Sequence, residues 1–495
     1  MRRKMAKEVV LALDQGSSSS RVLAIDSRGK VVARAQFPIK TLFPKEGFIE
    51  HDAEDLAASQ ERALDAVLEK LPPSARVLGM GVAAQRSTVV FWDRETGKPA
   101  ARAPSWQDGR AASVVAPLLG RQSEVHEKTG LYLTPYYSAP KIRWFLDHDD
   151  SLRRLADAGR LAVGPVSAYL IWRLTQGESF VTDPSMAQRM LLLDIRSMEW
   201  DDGMLSMFGV PKGILPEVVA SAGPLGLVKR QGREIQVLAM LGDQQSAAVG
   251  LGAMEDGSSV LNYGTGAFFL HNTGAKLHRI PGLLTSVGWR VEGQAPVYLE
   301  EGTVHAAGTS FDWLSANLGL FKRKTEISRL CGQSKNRVWA LPALGGLGAP
   351  RWDFGAKVAF AGLSTQTRKE DLVRAMAEGL AFLIADIVLT LRAAGLSPSG
   401  AKVSGGLSRL DHLLAFQSDI LGMRLERCRE REATALGVAS LTAQAAGASW
   451  APVLRRPAVE RAFEPSMSRE EAAKLLASWQ RFVEAQTKLS RELSA

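Results

Sequence analysis

Cysteine is scarce in this 495-residue chain, and its two representatives, Cys331 and Cys428, stand far apart without metal-ligand spacing. They read as two reduced thiols of a cytosolic protein. The seven histidines are scattered, and none forms an i, i+4 pair with an acid beside it, so no zinc site is expected. Long apolar runs are also missing, which excludes a membrane-spanning helix of about eighteen residues or more. The basic start, Met1-Arg2-Arg3-Lys4, has the charge of an export signal. Its apolar follow-on, Val9 to Leu13, is short and runs straight into Asp14, so a cytoplasmic location is expected instead. Charge of one sign does not dominate. The 61 basic and 52 acidic residues leave +9 over the whole length, and the basic residues occur mostly in pairs without interleaved aromatics. That pattern does not make a nucleic-acid groove.

Familiar nucleotide signatures are absent too. There is no G-x-x-x-x-G-K-[ST], neither Gly250-x-Gly252 nor Gly264-x-Gly266 is completed by a third glycine, and no protein-kinase H-R-D and D-F-G pair occurs. What the chain does have is an ordinary globular composition, 46% hydrophobic and 23% charged, and a length beyond one core. Two or three domains are expected.

Val9 to Leu13 reads as a buried strand, and the hydroxyl-rich turn Asp14-Gln15-Gly16-Ser17-Ser18-Ser19-Ser20 leads into a second apolar stretch at Val22 to Ile25. Val77 to Ala83 is another strand, opening onto Gln85-Arg86-Ser87. Near residue 240 the pattern recurs. Val237 to Leu241 stops at Gly242-Asp243-Gln244-Gln245, a small-residue helix follows, and a strand ending at Tyr263 meets the turn Gly264-Thr265-Gly266. The recurrence hints at two related halves. Later segments turn helical: Leu372, Met376, Leu380 and Ile384 share one face, and Ser468 with Glu471 forms a capping-box pair before a closing helix. Pro452 to Pro465 reads as a surface connection.

Small residues let backbone N–H groups approach an anion, and hydroxyls add donors. The turns Gly16-Ser17-Ser18 and Gly264-Thr265-Gly266 therefore suit a phosphate chain, although either alone is equally a plain hairpin. Asp14, at a strand end, could hold Mg²⁺ or merely accept turn N–H bonds. Asp243 could be the N-cap of its helix, or a general base that takes the proton of an attacking hydroxyl.

Taken together and in order, these segments resemble the FGGY carbohydrate kinases, and the glycerol kinases among them most closely. The opening Leu11 to Arg21, then Gly47-Phe48-Ile49-Glu50-His51-Asp52, then Tyr136 to His148 match the family's motifs. Val181-Thr182-Asp183 with Arg189, Gly242 to Gln245, Tyr263 to Gly266, Gly345 to Asp353, Ser404-Gly405-Gly406 and Glu432 to Gly437 follow collinearly. The resemblance implies an α/β, actin/hexokinase/Hsp70-like ATPase fold, with domains at 1–248 and 249–450 and a closing segment at 451–495. It implies ATP and Mg²⁺, and phosphorylation of a small polyol with glycerol as the leading substrate. Arg86, Ser87, Trp106, Tyr136, Asp243, Gln244 and Phe268 would line the polyol pocket, with Asp243 as the base. Ser17, Ser18, Arg21, Thr265, Gly308, Gly406, Leu407 and Asp411 would follow the nucleotide, and Asp14 the metal. Two positions depart from the family. Ser87 replaces a glutamate that accepts substrate hydroxyls, and Leu410-Asp411 replaces Asn-Asn at the adenine end, where Asp411 can still accept from an amino group. The alternatives are a kinase for another sugar or alditol, such as xylulose or erythritol, and a non-catalytic nucleotide or polyol sensor. No nucleic-acid partner is expected, and assembly into a homo-oligomer stays open.

Overall fold

A computed structural model describes residues 8–429 and 432–494; the basic start Met1-Arg2-Arg3-Lys4 lies outside them. The chain forms two compact units. The first comprises residues 1–252, 286–298 and 432–456, and the second comprises 253–285, 299–431 and 457–495.

The first unit is built on a six-stranded sheet ordered Ala222–Arg230, Arg233–Gly242, Arg76–Ala84, Glu8–Gln15, Ser19–Asp26, Val31–Pro38. Glu8–Gln15 is buried at every residue but the first, which suits its unbroken Val/Leu/Ala run in a strand covered on both faces. It pairs antiparallel with Ser19–Asp26 and parallel with Arg76–Ala84, which in turn pairs parallel with Arg233–Gly242. Met80 and Val82 enter a core shared with the helices Ala53–Lys70 and Val166–Leu174. Gly81 points to the other face, where a β-carbon would stand 2.2 Å from Thr442 Oγ1 of the helix Ala433–Ala445. The three parallel strands end in register: Gln15 lies opposite Ala84, and Ala84 opposite Gly242. Asp14, Gln85 and Asp243 are thereby gathered at one edge, the carboxyl ends where open α/β sheets place their ligands.

The second sheet is ordered Leu284–Trp289, Val297–Val304, Ala267–Asn272, Ser259–Tyr263, Gly400–Gly405, Arg424–Cys428, Val459–Phe463, and apart from residues 286–298 its strands belong to the second unit. Here too an antiparallel hairpin, Ser259–Tyr263 with Ala267–Asn272, adjoins parallel strands, with Tyr263 opposite Gly405. The topology of the first sheet, an antiparallel meander followed by two parallel strands and a last antiparallel one, is repeated. The two expected halves are present. Its core forms around the helices Lys369–Ala393, Asp411–Leu421 and Arg469–Ser494, where Trp479 stacks on Phe382 at 5.0 Å. The amide of Glu471 donates to Ser468 Oγ at 3.2 Å, the hydroxyl half of the expected capping box. Cys331 and Cys428 are both buried, and burial pushes the Cys331 thiol up to about 12.

Two expectations differ from the structure. The units are discontinuous where contiguous segments at 1–248 and 249–450 were expected, because the segment 432–456 packs on the first sheet. Pro452 to Pro465 is not a plain connection: it holds a short 3₁₀ turn at Ala451–Arg455 and the edge strand Val459–Phe463.

The helix Ala433–Ala445 lies in backbone contact with the helix Asp243–Gly250. A β-carbon at Gly437 would fall 1.7 Å from Ser246 O, and one at Gly250 would fall 2.0 Å from Ala433 O. Neither neighbour is a flexible side chain, so the backbone itself would have to move. Gly437→Ala is therefore expected to lower stability by ~1–3 kcal/mol or more, read as a fall in the urea midpoint. An unchanged midpoint would refute this close packing.

Candidate active site

Gly16-Ser17-Ser18 is the tip of the first hairpin, closed by a bond from Gly16 N to Ser19 O at 3.0 Å. Ser18 is exposed, and the Ser17 hydroxyl donates to Gln85 Oε1 at 3.1 Å while accepting from Trp106 Nε1 at 2.9 Å. Thr88 joins the same network. Its hydroxyl donates to Gln85 Oε1 at 3.0 Å and accepts from the Trp106 amide at 3.0 Å. The phosphate-type turn and the indole of Trp106 are thus held by shared partners. Gln85 opens the motif Gln85-Arg86-Ser87 and Thr88 follows it, and the roles of these two residues were not read from the sequence.

Asp14 is buried at the last turns of its strand and ion-paired with Arg21. Arg21 also reaches Glu432 at 3.1 Å, so its guanidinium holds two carboxylates in place. The sequence reading had placed it along the nucleotide. Burial raises the Asp14 carboxyl above the ordinary range, and the Arg21 charge opposes that rise.

Asp243 is the first residue of its helix, with Gly242 as the N-cap, so the capping alternative does not hold. Its Oδ1 accepts from the Gln244 amide at 2.8 Å and stands 3.6 Å from Arg86 Nε. With 30% of its side chain exposed, a hydroxyl can reach it. Burial raises its pKa, Arg86 draws it down, and the Asp14 charge raises it further. The strand end below it is fixed by a second layer. Gly242 N donates to Ser185 Oγ at 2.9 Å, and Asp183 caps that short helix through the Ser185 and Met186 amides. Gln244 Oε1 is buried without a hydrogen-bond partner, an acceptor suited to a ligand hydroxyl.

Ser87, the residue after Arg86, has φ +64°, the left-handed region that costs a non-glycine residue ~1 kcal/mol or more. Its carbonyl accepts from Lys141 Nζ at 2.9 Å and from Ser138 Oγ at 3.3 Å. Trp106 and Tyr136 are large exposed side chains, 41% and 45% accessible. The first unit therefore brings together Arg86 with Asp243, and Ser17 with Trp106.

In the second unit the turn Gly264-Thr265-Gly266 closes its hairpin as expected, with Gly264 and Thr265 exposed. Gly308, the first residue of the helix Gly308–Ala316, donates to Gly264 O at 3.0 Å. A β-carbon there would stand 2.7 Å from Gly264 O, so only glycine admits this approach. Gly405 sits at φ +91° against Tyr263 O, and the space beside Gly406 is open. Gly264, Gly405 and Gly406 are exposed beside the ends of the parallel strands, where their backbone is able to receive phosphate, while Gly308 is buried at its helix start. Phe268, half-buried on the second hairpin strand, pairs with Asn262 and Thr303. Two expected nucleotide residues have other engagements. Leu407 is buried in the core and has only its backbone to offer. Asp411 is paired through both carboxylate oxygens, with Arg427 at 2.6 Å and with Arg461, because the neighbouring strands bring two arginines to it.

Among the described residues no group of three or more His, Cys, Asp or Glu is arranged to hold a metal ion. Mg²⁺ takes one or two protein carboxylates and fills its other positions with water and phosphate, a demand that one carboxylate such as Asp14 can meet. No helix among the described residues is long and apolar enough to cross a membrane.

Known proteins share the sequence and the fold of this chain. The FGGY family of carbohydrate kinases, N-terminal domain, matches residues 9–250, and its C-terminal domain matches residues 259–446. A glycerol kinase of Alkalilimnicola ehrlichii is 40% identical, over 96% of this chain and 98% of that protein. One of Listeria monocytogenes is 37% identical, over 97% and 99%. The crystal structure of Plasmodium falciparum glycerol kinase with ADP superposes with a TM-score of 0.91 at 30% identity, covering 97% of this chain and 98% of that one. The fold is the actin/hexokinase-like ATPase fold in two α/β units. With both domain matches together spanning most of its length, the chain belongs to the FGGY family of carbohydrate kinases.

Proposed function

We propose that the protein is an ATP-dependent glycerol kinase, acting in the cytoplasm, that converts glycerol and ATP to glycerol 3-phosphate, ADP and a proton. The observation that carries this reading is the pairing of Asp243 with Arg86 beside the unpartnered Gln244 acceptor, in a chain whose full-length relatives are named glycerol kinases. Arg86 would donate to neighbouring hydroxyls of the alcohol and Gln244 would accept from one, while Trp106 and Tyr136 pack on its carbon chain. In the first unit the Ser17 and Ser18 hydroxyls suit phosphate, and in the second unit Thr265 and the exposed backbone of Gly406 do so, with Leu407 offering its main chain only. Arg21 supports Asp14.

ATP would supply the electrophilic phosphoryl group, and Asp14 would hold the accompanying Mg²⁺, whose charge would offset that of the transferred group. Asp243 orients the acceptor hydroxyl and takes its proton as that oxygen forms the bond to the γ-phosphorus and ADP leaves. Arg86 favours the ionised form of Asp243, opposing the burial that raises its pKa. Catalysis then follows mainly from positioning. Because the Asp243 pKa is raised, kcat should fall on the acid side at a pH above the ordinary aspartate range.

Ser87 bears on the acceptor. A serine is shorter than glutamate and uncharged, so the pocket forfeits one hydroxyl acceptor and has room for a longer polyol. A coupled ADP-release assay over glycerol, dihydroxyacetone, erythritol, ribitol and xylulose tests the assignment; preferential turnover of a larger member would replace glycerol as the substrate, and ATP binding without turnover of any would leave a sensor. Asp243→Asn is expected to reduce kcat by ~10²-fold or more while nucleotide affinity and the urea midpoint are kept. Near-normal kcat in that variant would remove Asp243 as the base. Ser87→Glu should lower the glycerol KM by about tenfold; a KM that does not fall would show that position 87 does not touch the substrate.

A further inference from the structure

Lys141 lies on the helix Ser138–His148 with none of its surface exposed. No carboxylate stands within ion-pairing distance of it among the described residues. Its Nζ instead donates to two main-chain carbonyls, Ser87 O at 2.9 Å and Ser105 O at 2.8 Å. A fully buried lysine without a counter-ion is costly, and a leucine or methionine would fill the same space without that cost. Its persistence here has to be explained by what the donors hold.

The two carbonyls belong to the residues adjoining the proposed pocket walls. Ser87 follows Arg86 and is kept in a left-handed conformation that its own side chain disfavours. Ser105 precedes Trp106, whose amide and indole are fixed in turn by Thr88 and Ser17. We infer that Lys141 is a positioning residue which, by bridging the carbonyls of Ser87 and Ser105, sets the separation of Arg86 from Trp106 and hence the fit of the acceptor polyol. The inference rests on the polyol-pocket reading of those two side chains.

Burial lowers the Lys141 ammonium to about 7, with Asp108 drawing it up and Arg110 pushing it down. The neutral amine keeps two N–H donors for its two acceptors, so the bridge persists in either protonation state.

The test is Lys141→Met, close in volume and without donors. Its glycerol KM is expected to rise at least tenfold while its KM for ATP stays within twofold of wild type, a split that general destabilisation would not produce. Amide hydrogen exchange of the unliganded full chain is expected to quicken in peptides covering residues 86–88 and 105–107. A folded Lys141→Met protein with wild-type exchange in both peptides and a wild-type glycerol KM overturns the inference. A wild-type enzyme that phosphorylates no polyol refutes the functional reading instead, and the exchange comparison then decides the bridge by itself.

Discussion

The approach of one helix backbone to another governs the geometry of the first unit. Gly437 and Gly250 lack side chains where Ser246 O and Ala433 O stand closer than any β-carbon allows, and Gly81 opens the sheet to the same helix. Close packing of this kind has little give, since protein interiors are as dense as organic crystals. It fixes the helix that begins with Asp243 against the three parallel strands, and the carboxylate at that helix start inherits the precision of the backbone. The segment 432–445 thus serves a site whose other members come from residues 14–250.

Charge at this site is handled by partial compensation. Asp14 and Asp243 are each desolvated, and each is met by one arginine, Arg21 and Arg86. The desolvation that raises both carboxyls favours an incoming proton or a cation beside them. Lys141 follows the opposite rule, with two carbonyls in place of an ion-paired carboxylate. It acts as a donor pair more than as a cation.

The second unit uses glycine differently. Gly308 admits the turn carbonyl of Gly264, and Gly405 sits against Tyr263 O, so backbone from three segments converges at the carboxyl ends of its parallel strands. Both units place exposed small residues at equivalent hairpin tips, which follows from their common topology of meander and parallel strands.

The amino-acid sequence alone determined the hairpins, the strand ends and the motif order, because these follow from local patterns: apolar alternation, small hydroxyl-rich turns and periodic helix faces. It also determined the family, since many short motifs in one order carry more information than any of them singly. Tertiary structure alone decided what each side chain faces. Leu407 turned into the core and Asp411 met Arg427 and Arg461. Arg21 met Glu432, 411 positions along the chain, and Lys141 reached carbonyls 54 and 36 positions away. Such partners depend on which distant segments pack together, and no local pattern encodes that.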